Sequence, residues 1–192
     1  MGAGIPPHGE WNYIISPLEK IEEQNHMNTL FTPRCTLSPL AETDFDELIP
    51  LYANAEVRKY LGGVRPENEV FAGLRHSIQA ADEYPFAVRI KNDNTFIGYA
   101  IAAPHHNPKD MEVSYMFLPT FWGNGYAFET VKTLIDFCKS ELKLNRIVAE
   151  TQSANIRSCS LLHKLGFQRE DCMVRFGAKQ SIYALTFNGD FC

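Results

Sequence analysis

One stretch restricts the fold of this chain more than any other. It runs from MEVSYMFL at 111–118, through PTFWGNGYAFE at 119–129, along an amphipathic segment to Leu142 and into RIVAET, which ends at Thr151. Ala127, Val131, Leu134, Ile135, Cys138 and Leu142 recur at helical spacing, while Lys132, Asp136, Lys139 and Glu141 fall mostly away from that face. A strand at 111–118, a helix at 125–142 and a strand at 145–151 form a βαβ unit whose two strands are expected to be parallel neighbours.

The flanking segments fit around this unit. Upstream stand a short strand around RCTLSPL and a helix opened by Thr43, placed to cap the amides of Asp46 and Glu47, with Leu48, Ile49 and Leu51 on its buried side. A second helix through AEVRKYLGG stops at Gly62-Gly63, and a third opens at Pro66-Glu67 and carries Val70, Leu74, Ile78 and Ala81. PFAVRIK and TFIGYAIAAP, separated by Asn92-Asp93-Asn94, read as a hairpin. Downstream come a helix from Asn155 to Gly166, with Asn155 suited to the N-cap and Gly166 to the C′ position, then FQREDCMVRF and QSIYALTF. The order predicts a mixed α/β (α+β) fold with a mostly antiparallel central sheet and helices on both faces. Residues 1–29, early in Gly and Pro and later polar, read as an extension on a domain at 30–192.

Eighteen Lys plus Arg against 23 Asp plus Glu leave the 192-residue chain with a net charge of -5. That balance argues against a nucleic-acid footprint and mildly favours cationic partners, amines included. The five cysteines form neither a CxxC pair nor a Cys/His metal spacing, so reduced thiols and no metal are expected. No apolar run approaches the ~20 residues that cross a bilayer, and the N-terminus lacks a secretory build, which together predict a cytoplasmic protein off the membrane; monomer and homodimer both stay open.

Gly123 and Gly125 stand between a strand and a helix N-terminus. Taken alone they have two readings. Either they make a tight turn that needs positive φ, or they let an anion approach unsatisfied backbone N–H groups at the positive end of the helix dipole. No Gly-Lys-Ser/Thr follows, and no GxGxxG is present.

Trp122-Gly123-Asn124-Gly125-Tyr126-Ala127 with Glu129, then Asn155-x-x-Ser158 and Lys164-Leu165-Gly166-Phe167, resembles the GNAT family of N-acetyltransferases, closest to its ribosomal-protein alanine and serine acetyltransferase branch. The opening TPRCTLSPLAETDFDELIPLYANAEVRKYLGG also looks like the start of that branch, so the resemblance covers roughly residues 31–188. It implies acetyl-coenzyme A as cosubstrate, with the pyrophosphate on the N–H groups of Gly123 to Ala127 and the pantetheine arm between the two parallel strands. It further implies Phe117 and Leu118 as backbone partners of the arm and Asn155 as a side-chain contact. Thr120 stands where the family's pyrophosphate motif usually begins with Gln or Arg.

Acetyl transfer to an amine needs the amine neutral, the developing oxyanion stabilised and a proton for the departing thiolate. Glu112 sits where many members carry a base; the plainer reading is an exposed strand-end carboxylate, and Glu150 and Glu170 are alternatives. Ser158 shares a helix face with Asn155, and the resemblance implies that it is the acid toward the thiolate; otherwise it bonds its own i-4 carbonyl. Many relatives use a tyrosine there, and Leu162 takes its place. His105 and His106 read as loop residues near an acceptor cleft, Cys159 as a core residue, His163 as solvated, and Tyr60 and Arg65 as possible shapers of the acceptor site. The leading expectation is acetyl transfer to a primary amine, such as a protein α-amine; a small-molecule amine and a catalytically silent acyl-coenzyme A module are the alternatives.

Overall fold

The computed structural model describes residues 27–107 and 109–187. The expected extension therefore lies, up to residue 26, outside the described residues, whereas Met27 already packs against the core. Among the described residues eight strands form one sheet: β1 (Leu30–Phe31), β2 (Cys35–Pro39), β3 (Tyr84–Ile90), β4 (Phe96–Pro104), β5 (Met111–Phe117), β6 (Arg146–Gln152), β7 (Gln168–Arg175) and β8 (Ala178–Thr186). Five α-helices accompany them among the same residues: α1 (Phe45–Ala53), α2 (Ala55–Arg58), α3 (Glu67–Gln79), α4 (Tyr126–Ser140) and α5 (Ile156–Lys164).

The spatial order is β1-β2-β3-β4-β5-β6-β8-β7, and every adjacent pair is antiparallel except β5–β6. The expected parallel unit is therefore present at the centre of the sheet. It is paired only through Met111↔Ile147 and Glu112↔Val148, after which the two strands part.

Strand alternation sends side chains to two cores. On one face, here the back, Phe86, Val88, Ile97, Val113 and Ile147 meet Val131, Leu134 and Cys138 of α4 and Leu162 of α5. On the front, Ala87, Tyr99 and Met116 meet Leu48 and Leu51 of α1 and Val70 and Leu74 of α3. Each fully buried aliphatic side chain of this kind contributes about 1.5–3 kcal/mol relative to exposure.

Two local expectations are corrected. Thr43 does not cap α1: a 3-10 turn at Glu42–Asp44 precedes the helix, and the Asp44 carboxylate accepts the Ala41 N–H at 2.9 Å. Asp44 holds that position because Arg89 bonds its other oxygen at 2.8 Å. β1 was not foreseen, since two residues carry no measurable period. It pairs with β2 at Leu30↔Leu37 and Phe31↔Thr36.

Candidate active site

Where β5 and β6 part, backbone groups lose their ladder partners. Leu118 N–H bonds Ile97 O on the β4 side at 2.9 Å, so by alternation Phe117 turns its backbone toward the gap. The Phe117 carbonyl accepts the Trp122 indole N–H at 2.8 Å, which folds the next loop back over the strand end. Leu118 is less available than its expected role requires, because its carbonyl also accepts Phe121 N–H at 3.0 Å.

The loop after β5 runs through a 3-10 turn, Pro119–Phe121, that leaves Thr120 exposed. Gly123 and Gly125 both adopt left-handed φ, +77° and +84°, and Gly125 is the N-cap of α4. A side chain at either position would be strained. Among the described residues, none of the N–H groups from Gly123 to Ala127 finds an acceptor. Five consecutive donors at a helix N-terminus can take the oxygens of a pyrophosphate, which fits coenzyme A. Tyr126 packs edge-on against Phe121, and Arg157 lies over the Trp122 ring at 5.2 Å.

Back-face chemistry gathers at α5. Asn155 is the N-cap, its Oδ1 accepting Ser158 N–H at 3.3 Å and its Nδ2 donating to Thr151 Oγ1 at 3.3 Å. Its side-chain amide is thus engaged at both ends. Ser158 Oγ lies 2.9 Å from the Tyr115 hydroxyl rather than on its i-4 carbonyl. Burial pushes the Tyr115 phenol up to about 12, although the Ser158 bond opposes it. Leu162, at the place of the relatives' tyrosine, is 1% exposed and belongs to the core. Tyr115 was missed in the sequence because an aromatic residue in a buried strand reads as packing.

Front-face chemistry gathers at the point of parting. Glu112 Oε1 accepts the Glu150 N–H at 3.4 Å, an amide the separated strands leave without a ladder partner, and the Ser114 hydroxyl at 3.2 Å. Burial raises the Glu112 pKa; His105 and the two hydrogen bonds pull the other way without cancelling it. Glu150, with 8% side-chain exposure, bonds His105 Nε2 at 3.0 Å and lies 3.4 Å from Arg175. His105 Nδ1 accepts the Asn107 N–H at 3.1 Å, so in the neutral ring the proton belongs on Nε2, aimed at Glu150. His105 lies in the loop after β4, as expected, and is buried there; its link to Glu150 had no signal in sequence. Glu170 instead makes a two-pronged surface pair with Arg146, both contacts at 2.7 Å.

A groove of about 380 Å³ opens beside this cluster, lined by His105, His106, Asp110, Arg146, Arg175 and Ile182 among others. Cys159 is partly buried against the core and His163 is exposed; neither faces a catalytic partner. Among the described residues no set of three or more His, Cys, Asp or Glu is arranged to hold a metal ion, and no helix is long and apolar enough to cross a membrane.

Residues 34–168 match the family model described as acetyltransferase (GNAT) domain. The chain belongs to the GNAT acetyltransferases. A Bacillus licheniformis relative named as an uncharacterized N-acetyltransferase, p20, is 32% identical over 153 residues, 75% of this chain and 84% of that protein. Two solved GNAT-like structures share the fold. One, an acetyltransferase from Salmonella typhimurium described as modifying the N-terminal serine of a 50S ribosomal subunit protein, aligns with TM-score 0.72 at 17% identity over 84% of this chain and 100% of that one. The other, spermidine N-acetyltransferase from Vibrio cholerae with CoA and spermine, gives 0.70 at 18% identity over 79% and 95%. As a GNAT enzyme this chain is an acetyl-CoA-dependent acyltransferase.

Proposed function

We propose that this GNAT enzyme acetylates the α-amine of a protein or peptide, with acetyl-CoA lying along the parting of β5 and β6. The observation that carries this reading is the pairing of β5 with β6 through two rungs only, directly before a loop with five free N–H donors. Those donors take the pyrophosphate, and the Phe117 backbone faces the pantetheine arm. An α-amine has a reference pKa near ~8, against ~10.4 for a lysine-type amine, so little deprotonation is needed at neutral pH. Glu112, half-buried at the point of parting, accepts that proton directly or through a water, with the His105–Glu150 pair next to it. On the other face Ser158, bonded to Tyr115, presents a hydroxyl to the departing sulfur.

Of the groove's carboxylates, Asp110 and Glu170 are engaged by Arg146, at 3.1 and 2.7 Å, while Asp171 forms no ion pair among the described residues, so the choice between a chain end and a polyamine falls to the acceptor panel. The two fold neighbours, one described as acting on a protein N-terminus and one on spermidine, frame the same choice.

The test is thiol release from acetyl-CoA with peptides of differing N-terminal residue, spermidine, aminoglycosides and free amino acids. Turnover led by peptides supports the reading; turnover led by spermidine moves the acceptor to small amines. A rise in Tm with CoA but no turnover across the panel makes the chain a silent acyl-CoA module.

A further inference from the structure

Arg34 stands in the turn between β1 and β2, yet it reaches the loop at the start of α4. Its Nε donates to Glu129 Oε1 at 2.6 Å and its Nη2 to the Asn124 carbonyl at 2.8 Å, while the guanidinium lies 4.4 Å from the Tyr126 ring centroid. Nη2 also ion-pairs with Glu129. The other Glu129 oxygen accepts the Thr32 hydroxyl at 3.0 Å and the Arg34 N–H at 3.3 Å. Thr32 is fixed in turn by the Cys35 N–H, 2.7 Å from its hydroxyl oxygen. A Cβ on Gly125 would stand 3.2 Å from Arg34 Nη2, so that glycine serves the guanidinium as well as its own φ.

These contacts matter because two groups at this helix start have the wrong sign for an anion site. Glu129 is a full negative charge in the first turn of α4, and its side chain is only 18% exposed, so water screens it incompletely. The Asn124 carbonyl interrupts a row of N–H donors. A carboxylate suits a helix N-terminus when it stands alone, but it competes with any second anion brought to the same dipole.

We propose that Arg34 is a positioning residue of the coenzyme A loop: it neutralises Glu129, so that the helix start meets the pyrophosphate with donors and no uncompensated negative charge. This rests on the coenzyme A reading of the loop. Burial alone would raise the Glu129 pKa, but the bonds from Arg34 and Thr32 and the guanidinium charge lower it overall, so Glu129 stays ionised and needs its counter-charge.

The test is calorimetric titration of CoA into the wild type, Arg34→Met, Glu129→Gln and the double variant, each checked for folding by circular dichroism. Arg34→Met is expected to weaken CoA about tenfold, more at low salt than at high, and Glu129→Gln to change little. The double variant should recover to within about threefold of wild type, because removing the uncompensated charge removes the need for the arginine. Wild-type affinity in Arg34→Met, or a double variant as weak as Arg34→Met, overturns this role while leaving the loop reading intact. Wild type that does not bind CoA overturns both. If Arg34→Met does not fold, Arg34→Lys carries the test: it keeps the charge and should bind within about threefold of wild type, and a tenfold loss there rejects neutralisation.

Discussion

The phenolic oxygen of Tyr115, on β5, lies 2.9 Å from Oγ of Ser158, on α5, and so joins a strand to a helix across the back of the parting strands. With its pKa pushed up to about 12, the phenol stays protonated near neutral pH and can donate to Ser158. When Tyr115 donates, Ser158 would keep its own hydrogen for the proposed transfer to the sulfur. Ser158→Ala is expected to lower kcat with little change in CoA affinity, and Tyr115→Phe to lower it less. The double variant should be no slower than Ser158→Ala, because both act through one hydrogen bond. Single-turnover thiol release and a CoA titration separate these effects; an unchanged rate in Ser158→Ala removes the serine from the step.

As the proposed base, Glu112 should set a pH dependence. Its raised pKa would keep the carboxyl protonated above its ordinary value, and the base would be lost as pH falls through that raised value. The profile of kcat/KM should therefore rise with pH along an acid limb. Glu112→Gln should remove the limb and lower kcat/KM by about 10²–10⁴. The same shift affects stability: a carboxyl raised in the folded state stabilises below its unfolded pKa, and that contribution is lost as pH rises through the folded one. Relative to wild type, Glu112→Gln should accordingly melt higher near neutral pH than at pH about 4.

Gly98 tests how closely β4 carries the strand that leads to the site. A Cβ there would stand 2.5 Å from the Met116 carbonyl and 2.6 Å from the Phe117 ring. Neither the backbone nor a ring packed in the core can move away cheaply. Gly98→Ala is expected to destabilise by about 1–3 kcal/mol in urea unfolding and to weaken CoA as well, since Phe117 borders the gap.

Asn155→Ala removes the N-cap of α5 and should cost about 1 kcal/mol, read as a lower urea midpoint at constant m. Ser158 loses the acceptor of its N–H in the same variant, so kcat should fall with stability. A variant that is destabilised with full kcat would separate the cap from the chemistry.

The elements that position the site were legible because they carry periods or punctuation. The apolar stripe of α4, the glycines at 123 and 125 and the Asn155 cap each announce themselves within a few residues. The helix faces also had their register right, as the burial of Val131, Leu134, Ile135 and Cys138 shows. What escaped lies between distant segments. Arg34 meets Glu129 across 95 residues, His105 meets Glu150 across 45 and Tyr115 meets Ser158 across 43, and no local pattern records such a meeting. Thr43 failed for a related reason: a long-range bond from Arg89 fixes Asp44 as the turn residue, and propensity alone favoured its neighbour.

The two-rung pairing of β5 with β6 makes the sheet a partition with a slot in it. In the proposed reading, an amine on the side of Glu112 and a thioester beside Ser158 would meet at that slot from opposite faces of the sheet, so the proton taken from the nitrogen and the proton given to the sulfur would be handled on separate faces.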